Sequence, residues 1–113
     1  MTEAEALLLS AAIEGPTAYA MVRLMQWPSR GALHAGLASA VATAVTHPQL
    51  WSAAIWAYPR FPYWPSIVVL ETLVILAEGA LIAWMANLAW RRATLVSLIA
   101  NTASGVAGLL LAG

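Results

Sequence analysis

An acidic residue in the middle of an otherwise apolar helix-length run constrains this chain more than any other feature. Glu71 and Glu78 lie inside Ser66–Ala86, where the surrounding residues are almost all Ile, Val, Leu and Ala. Seven helical residues turn the chain nearly two full turns, so both carboxyls share one face, about 10 Å apart along the axis. Hydrocarbon offers such a group no partner. Ionisable residues in membrane helices therefore face protein or water and mark function.

The rest of the chain agrees with a membrane setting. It has 113 residues, 62% hydrophobic and 9% charged, against about 25% charged in ordinary soluble domains. Mean hydropathy is +0.78. Net charge is zero and all five basic residues are Arg, which leaves no basic patch for nucleic acid. Without cysteine there are no disulfides, thiol redox chemistry or iron–sulfur clusters. The acidic start Met1-Thr2-Glu3-Ala4-Glu5 is not that of a cleaved signal peptide, and none is expected.

Apolar runs of about 20 residues cross a bilayer as helices. Four are expected, over residues 4–25, 32–46, 66–86 and 93–112, within a single domain. The fold class is thus all-α: a polytopic membrane protein of four transmembrane helices arranged as two tandem hairpins. The second run, rich in Ala and Gly, is short and has room to continue past His47-Pro48 toward Trp56. In the third, ten Leu, Ile and Val residues favour insertion by about 3–6 kcal/mol, and two mid-helix carboxyls oppose it by about 5–7 kcal/mol. That helix needs the rest of the bundle, or protonated Glu, to be stable in lipid.

Arg23 and Arg30 flank the first turn, Arg91 and Arg92 mark the last, and only Arg60 lies on the other side. The positive-inside rule makes both short turns cytoplasmic and puts both termini outside, as expected in a bacterial inner membrane. The stretch 47–65 is expected as an aromatic outer loop. Trp51, Trp56, Tyr58, Phe61, Tyr63 and Trp64 suit headgroup depth, Pro59, Pro62 and Pro65 break helices, and Gln49–Tyr58 is a possible short interfacial helix.

The two halves echo each other. Glu14-Gly15 matches Glu78-Gly79, and Ser39, Thr43 and Thr46 match the spacing of Ser97, Asn101 and Ser104. Two helices per unit return the chain to the same side, so the halves would be parallel repeats about the membrane normal. Measured from the span ends, Glu14, Glu78 and Asn101 fall near the midplane, and Glu71 and Ser104 lie further out. His47 follows the outer end of the second helix. These residues are expected to form a polar seam that carries protons or binds a cation, with Glu71, Glu78, Asn101, His47 and Glu14 as the binding groups. Ser97, Ser104, Thr43 and Thr46 support them. His47, Glu71 and Glu78 are the candidate metal ligands.

Each reading has a structural counterpart. Ser39, Thr43, Thr46, Ser97 and Ser104 are of the type that ties helices together, and Asn101 suits either role. Thr46-His47-Pro48 also reads as a helix start capped by Thr46. Glu14-Gly15-Pro16 also reads as a helix irregularity. His34 belongs at the interface. His34 and His47 sit about 140° apart on a helix, which excludes haem between them on one chain. No cofactor is expected beyond a cation. Metalloprotease, nucleophile-pair and phosphate-loop motifs are missing, so enzyme chemistry has no support. Ala32-x3-Gly36-x3-Ala40 and Ser104-x3-Gly108 mark close helix contacts, inside the bundle or between copies.

The stretch from Glu71 through Gly79, Arg91-Arg92, Ser97 to Ser104 and Gly108, together with Thr46-His47-Pro48, resembles a pattern in small uncharacterised bacterial four-helix membrane proteins. The resemblance spans about two thirds of the chain. It implies the four-helix membrane fold and attaches no activity. Two functions are therefore expected in the alternative. One is handling of protons or cations, as a transporter or a transporter component. The other is a non-catalytic accessory subunit of a larger membrane complex. The partners in either case are lipid and a homo-oligomer or larger membrane complex.

Overall fold

Four long helices account for nearly the whole chain because little in it can stop a helix. The computed structural model describes residues 2–112. Its elements are α1 (Glu3–Met25), α2 (Ala32–Ala57), α3 (Tyr63–Ala86) and α4 (Trp90–Ala112). Thr2 caps α1 through a reciprocal box with Glu5, which satisfies two otherwise orphaned groups. Gln26 and Asn87 end α1 and α3 in the left-handed conformation, with φ of 53° and 52°. The two halves thus share a helix C-terminus as well as a sequence pattern.

The helix bounds correct two expectations. α2 does not end near Thr46, and the stretch 47–65 is mostly not a loop: α2 continues to Ala57, α3 starts at Tyr63, and α4 starts at Trp90. Pro48 is accommodated inside α2 and Pro16 inside α1. A helical proline lacks one donor and frees one carbonyl, which membrane helices tolerate when local groups adjust. Thr46 is accordingly not a cap; its hydroxyl turns back to the Ala42 carbonyl at 3.0 Å. Pro65 falls in the first turn of α3, where its missing N–H has no intrahelical acceptor to lose.

Each helix packs on the next, and α4 closes the ring on α1. The bundle measures 43 × 23 × 19 Å. Both short turns lie at one end, where the Arg30 N–H donates to the Ala86 carbonyl at 2.7 Å and its guanidinium donates to Met85 at 3.3 Å. That half of the bundle is closely packed around the apolar residues Ala18, Val22, Ala35, Ile82, Ala86, Leu88 and Val96.

Two helices, α3 with mean hydropathy 2.1 and α4 over Trp90–Leu111 with 1.7, are long and apolar enough to cross a membrane. In α1 three Glu and one Arg lower the average, and in α2 small residues and two His do so.

Small residues set the spacing of the first hairpin. A Cβ on Gly36 would stand 3.1 Å from the Gly15 carbonyl oxygen and 3.2 Å from the Tyr19 Cβ. Because backbone lies on one side, the neighbour cannot yield. Gly36→Leu should therefore cost about 1–3 kcal/mol, the usual penalty for overpacking. Reversible unfolding in mixed detergent micelles measures this directly.

Candidate functional site

The other half of the bundle encloses a cavity of about 250 Å³. Its floor is a cluster of two carboxyls and four neutral donors. Glu14 and Glu78 are each only 2% exposed, and the two carboxyls are direct neighbours. Glu14 Oε1 accepts from Thr43 Oγ1 at 3.1 Å, and its Oε2 accepts from Ser104 Oγ at 2.9 Å. Glu78 Oε1 accepts from Asn101 Nδ2 at 3.1 Å, and its Oε2 accepts from Thr46 Oγ1 at 2.7 Å.

The pattern of these bonds is two-fold. Glu14–Thr43 lies within the first hairpin, as Glu78–Asn101 does within the second. Ser104–Glu14 and Thr46–Glu78 cross between hairpins. Ser39 Oγ donates to the Glu14 carbonyl at 3.2 Å, and Ser97 Oγ donates to the Ile75 carbonyl at 2.8 Å. The Ser-x3-(Thr/Asn)-x2-(Thr/Ser) spacing of α2 and α4 thus does the same work twice. The first residue binds the neighbouring backbone, and the other two bind one carboxyl of each half.

Each hydroxyl on a carboxyl also has a second acceptor on its own helix. Thr43 lies 3.0 Å from the Ser39 carbonyl oxygen, Thr46 lies 3.0 Å from that of Ala42, and Ser104 lies 3.1 Å from that of Asn101. A hydroxyl has one proton to donate and lone pairs to accept with. When a carboxyl is ionised, the hydroxyl donates to it. When the carboxyl is protonated, the hydroxyl can accept from it and donate to the helix instead. Hydrogen bonding at the floor therefore stays satisfied in both charge states.

No Arg reaches this floor, since all five lie in the turns or the terminal turns of helices. Two carboxylates side by side in a poorly solvated site repel strongly. The charge can be balanced by a proton held at the pair or by a bound cation.

Above the floor the cavity is lined by His47, Trp51, Tyr58 and Glu71 as it runs toward the α2–α3 loop. His47 is 8% exposed and its ring stacks on Trp51 at 5.9 Å. Its Nδ1 has no hydrogen-bond partner among the described residues. Glu71 is half-buried. It stands apart from the hydrogen-bonded floor, which is where the seven-residue offset from Glu78 puts it.

Several expected placements change. Ser104 belongs with Glu14 at the floor and not at the height of Glu71. Glu14, which also read as a helix irregularity, is a full member of the pair. His47, Glu71 and Glu78 line one cavity but do not converge, and among the described residues no three His, Asp or Glu side chains gather as a metal centre. His34 is exposed near the start of α2. Trp51 and Tyr58, expected in the aromatic outer stretch or on a short interfacial helix, instead belong to the end of α2 and its cap. With α2 continuous, His47, Trp51 and Tyr58 recur at helical spacing on one face, and that spacing is the signal that finds them.

Comparison with protein families, curated proteins and solved structures finds no match to this chain.

Proposed function

We propose that the chain is an integral membrane protein with four spans that takes up and releases a proton or a small cation at the Glu14–Glu78 pair. The observation that carries this reading is the floor of the cavity: two adjacent buried carboxyls, no counter-charge, and three hydroxyls with alternative acceptors. A purely structural tie between helices needs neither the second carboxyl nor the alternatives. An exchange site needs both, because its charge changes during each cycle.

Three features support the membrane setting for all four helices. Large apolar side chains face outward on each of them, among them Leu8 on α1, Leu37 and Val41 on α2, Val69 and Leu73 on α3, and Leu98 and Leu109 on α4. The interior by contrast is built largely of small residues and carries a buried polar cluster in one half. The 43 Å length suits a bilayer of about 40–45 Å including its headgroups. The Arg-rich end then faces the cytoplasm in a bacterial inner membrane and the cavity opens outward. The apolar layer of Val22, Ile82 and Val96 closes the inner side, so passage across the membrane requires that layer to part.

A second reading has its own observation. The outer faces of α2 and α3 form an apolar groove of about 710 Å³ lined by Leu70, Leu73, Leu81 and Trp84. It would receive a partner helix if the chain is an accessory subunit in an oligomer or larger complex. Cross-linking from Leu73 in native membranes tests for that partner.

The exchange reading is tested on purified protein in weakly buffered nanodiscs. Adding a bound cation should displace up to about one proton per chain, because the pair holds one balancing charge. A panel of alkali, divalent and ammonium cations that releases no proton anywhere between pH 5 and 9 would overturn it.

A further inference from the structure

One difference between the two halves of the bundle opens the cavity sideways. In the register that sets Glu14 on Glu78, Leu7 corresponds to Glu71. In the register that sets Thr43 on Asn101, His47 and Leu50 correspond to Gly105 and Gly108. The first half is thus filled with side chains where the second half has two glycines and a carboxylate. A Cβ on Gly105 or on Gly108 would meet nothing within 4 Å. A groove of about 410 Å³ runs there between α3 and α4, walled by Ile67, Ile75, Val106 and Leu109. Glu71, Asn101 and Gly105 line both this groove and the central cavity. Both faces of the opening meet at Glu71, which stands outside the hydrogen-bonded floor.

We infer that this groove is a lateral portal through which an amphiphilic organic monocation, an ammonium head on a short apolar tail, reaches the carboxyl pair from the bilayer side. This rests on the exchange reading of Glu14 and Glu78 and names its substrate class.

The chemistry of the walls selects that class. A bare divalent ion wants several converging oxygen or nitrogen ligands, and among the described residues no three His, Asp or Glu side chains gather in the cavity. Its upper wall instead offers the rings of Trp51 and Tyr58 beside Glu71, the combination that holds an ammonium by cation–π attraction and charge. About 250 Å³ exceeds a single water's share of about 30 Å³ several-fold and falls just short of drug-sized pockets of about 300–1,000 Å³. A small organic head fits that volume. The groove outside is mostly apolar, with Glu71, Asn101 and Thr102 as its polar residues, so a tail can remain against Ile67, Ile75, Val106 and Leu109 while the head turns inward. Lipid would deliver such a molecule already oriented at this depth.

The test uses the full chain in nanodiscs and two probes with one head, tetramethylammonium and hexyltrimethylammonium. The chain has no cysteine, so Gly108→Cys provides a single attachment point in the groove, away from the carboxyl floor. Binding is measured by calorimetry before and after the thiol is capped with a butyl methanethiosulfonate, and the uncapped variant controls for folding. After correction for partition into empty nanodiscs, the hexyl probe should bind about tenfold tighter than the tetramethyl probe, as expected for burying about two methylenes. Capping should remove that advantage and leave tetramethylammonium within about twofold. A hexyl advantage that survives capping, or one that never exists, overturns the portal. If inorganic cations displace protons and neither ammonium probe binds, the substrate class is wrong and the carboxyl-pair reading stands. If no cation displaces a proton, both fail together. If capping instead dissociates a dimer, the groove is an interface between copies and the portal is overturned.

Discussion

Glu14→Gln should abolish cation-dependent proton release as completely as Glu78→Gln does, whereas Glu71→Gln should weaken apparent affinity and leave the released proton count intact. The loss expected for either floor residue is at least about 100-fold in cation affinity. That equals about 2.7 kcal/mol, less than the about 3–5 kcal/mol typical of breaking a buried charge pair. Both floor variants should still fold. At position 14 the amide oxygen can accept from Thr43 or Ser104, and the amide nitrogen can donate to the other hydroxyl. That hydroxyl then donates to its own helix, to the Ser39 or the Asn101 carbonyl. At position 78 the oxygen can accept from Asn101 and the nitrogen can donate to Thr46, which turns to Ala42. Function and stability thus separate in these two variants. Proton release is read with a pH dye and folding by circular dichroism in the same nanodiscs. A Glu14→Gln protein that releases protons like the wild type would end the paired-carboxyl mechanism. Equal losses in all three variants would mean that Glu71 shares the balancing charge.

The ranking of these glutamates changes between sequence and structure for a simple reason. Along α3, Glu71 and Glu78 share a stripe, and stripe membership is all that periodicity reports. Which residue is buried depends on what the facing helices bring to that height. Asn101 and Thr46 meet Glu78, whereas Gly105 stands opposite Glu71 and offers only space. The four helices themselves were legible because apolar runs broken by Arg-bearing turns leave little choice. The end of α2 was not, because a proline in a helix-forming run has two outcomes. It stops a helix in water, and it is absorbed where packing against neighbouring helices holds the backbone helical through it. The spacing of Ser39, Thr43 and Thr46 against Ser97, Asn101 and Ser104 suggested an internal repeat, and these residues make matching hydrogen bonds in the two halves. It did not foretell that the last residue of each triplet would cross to the carboxyl of the other half. That crossing depends on the ring order of the helices, which no single helix encodes.

Cysteine labelling should sort the chain into three classes, all-or-none, and decide how many helices lie in the bilayer. Pro28→Cys and Ala89→Cys sit in the two turns that Arg30 holds together through Ala86 and Met85. They should react with a membrane-impermeant maleimide only after cells are permeabilised, since four of the five Arg cluster at that end. Phe61→Cys, at an exposed position in the opposite loop, should react in intact cells. The third class is the decisive one. Leu37 and Val41 are 58% and 49% exposed on the outer face of α2, a helix whose own hydropathy does not mark it as a span. If α2 is held in the bilayer by its packing against α1 and α3, cysteines at these positions should stay unlabelled by the aqueous reagent in both conditions and react with a lipid-soluble maleimide. If only α3 and α4 cross, Leu37→Cys and Val41→Cys should label readily from water. The four-span bundle would then be lost, and with it the argument that Glu14 needs a partner because lipid supplies none. The energetic expectation favours the embedded state. Burying the outward Leu and Val side chains of α2 in hydrocarbon gains about 0.3–0.6 kcal/mol each, and its Ser39, Thr43 and Thr46 hydroxyls already have protein acceptors, so these hydroxyls carry no unpaired cost into the membrane.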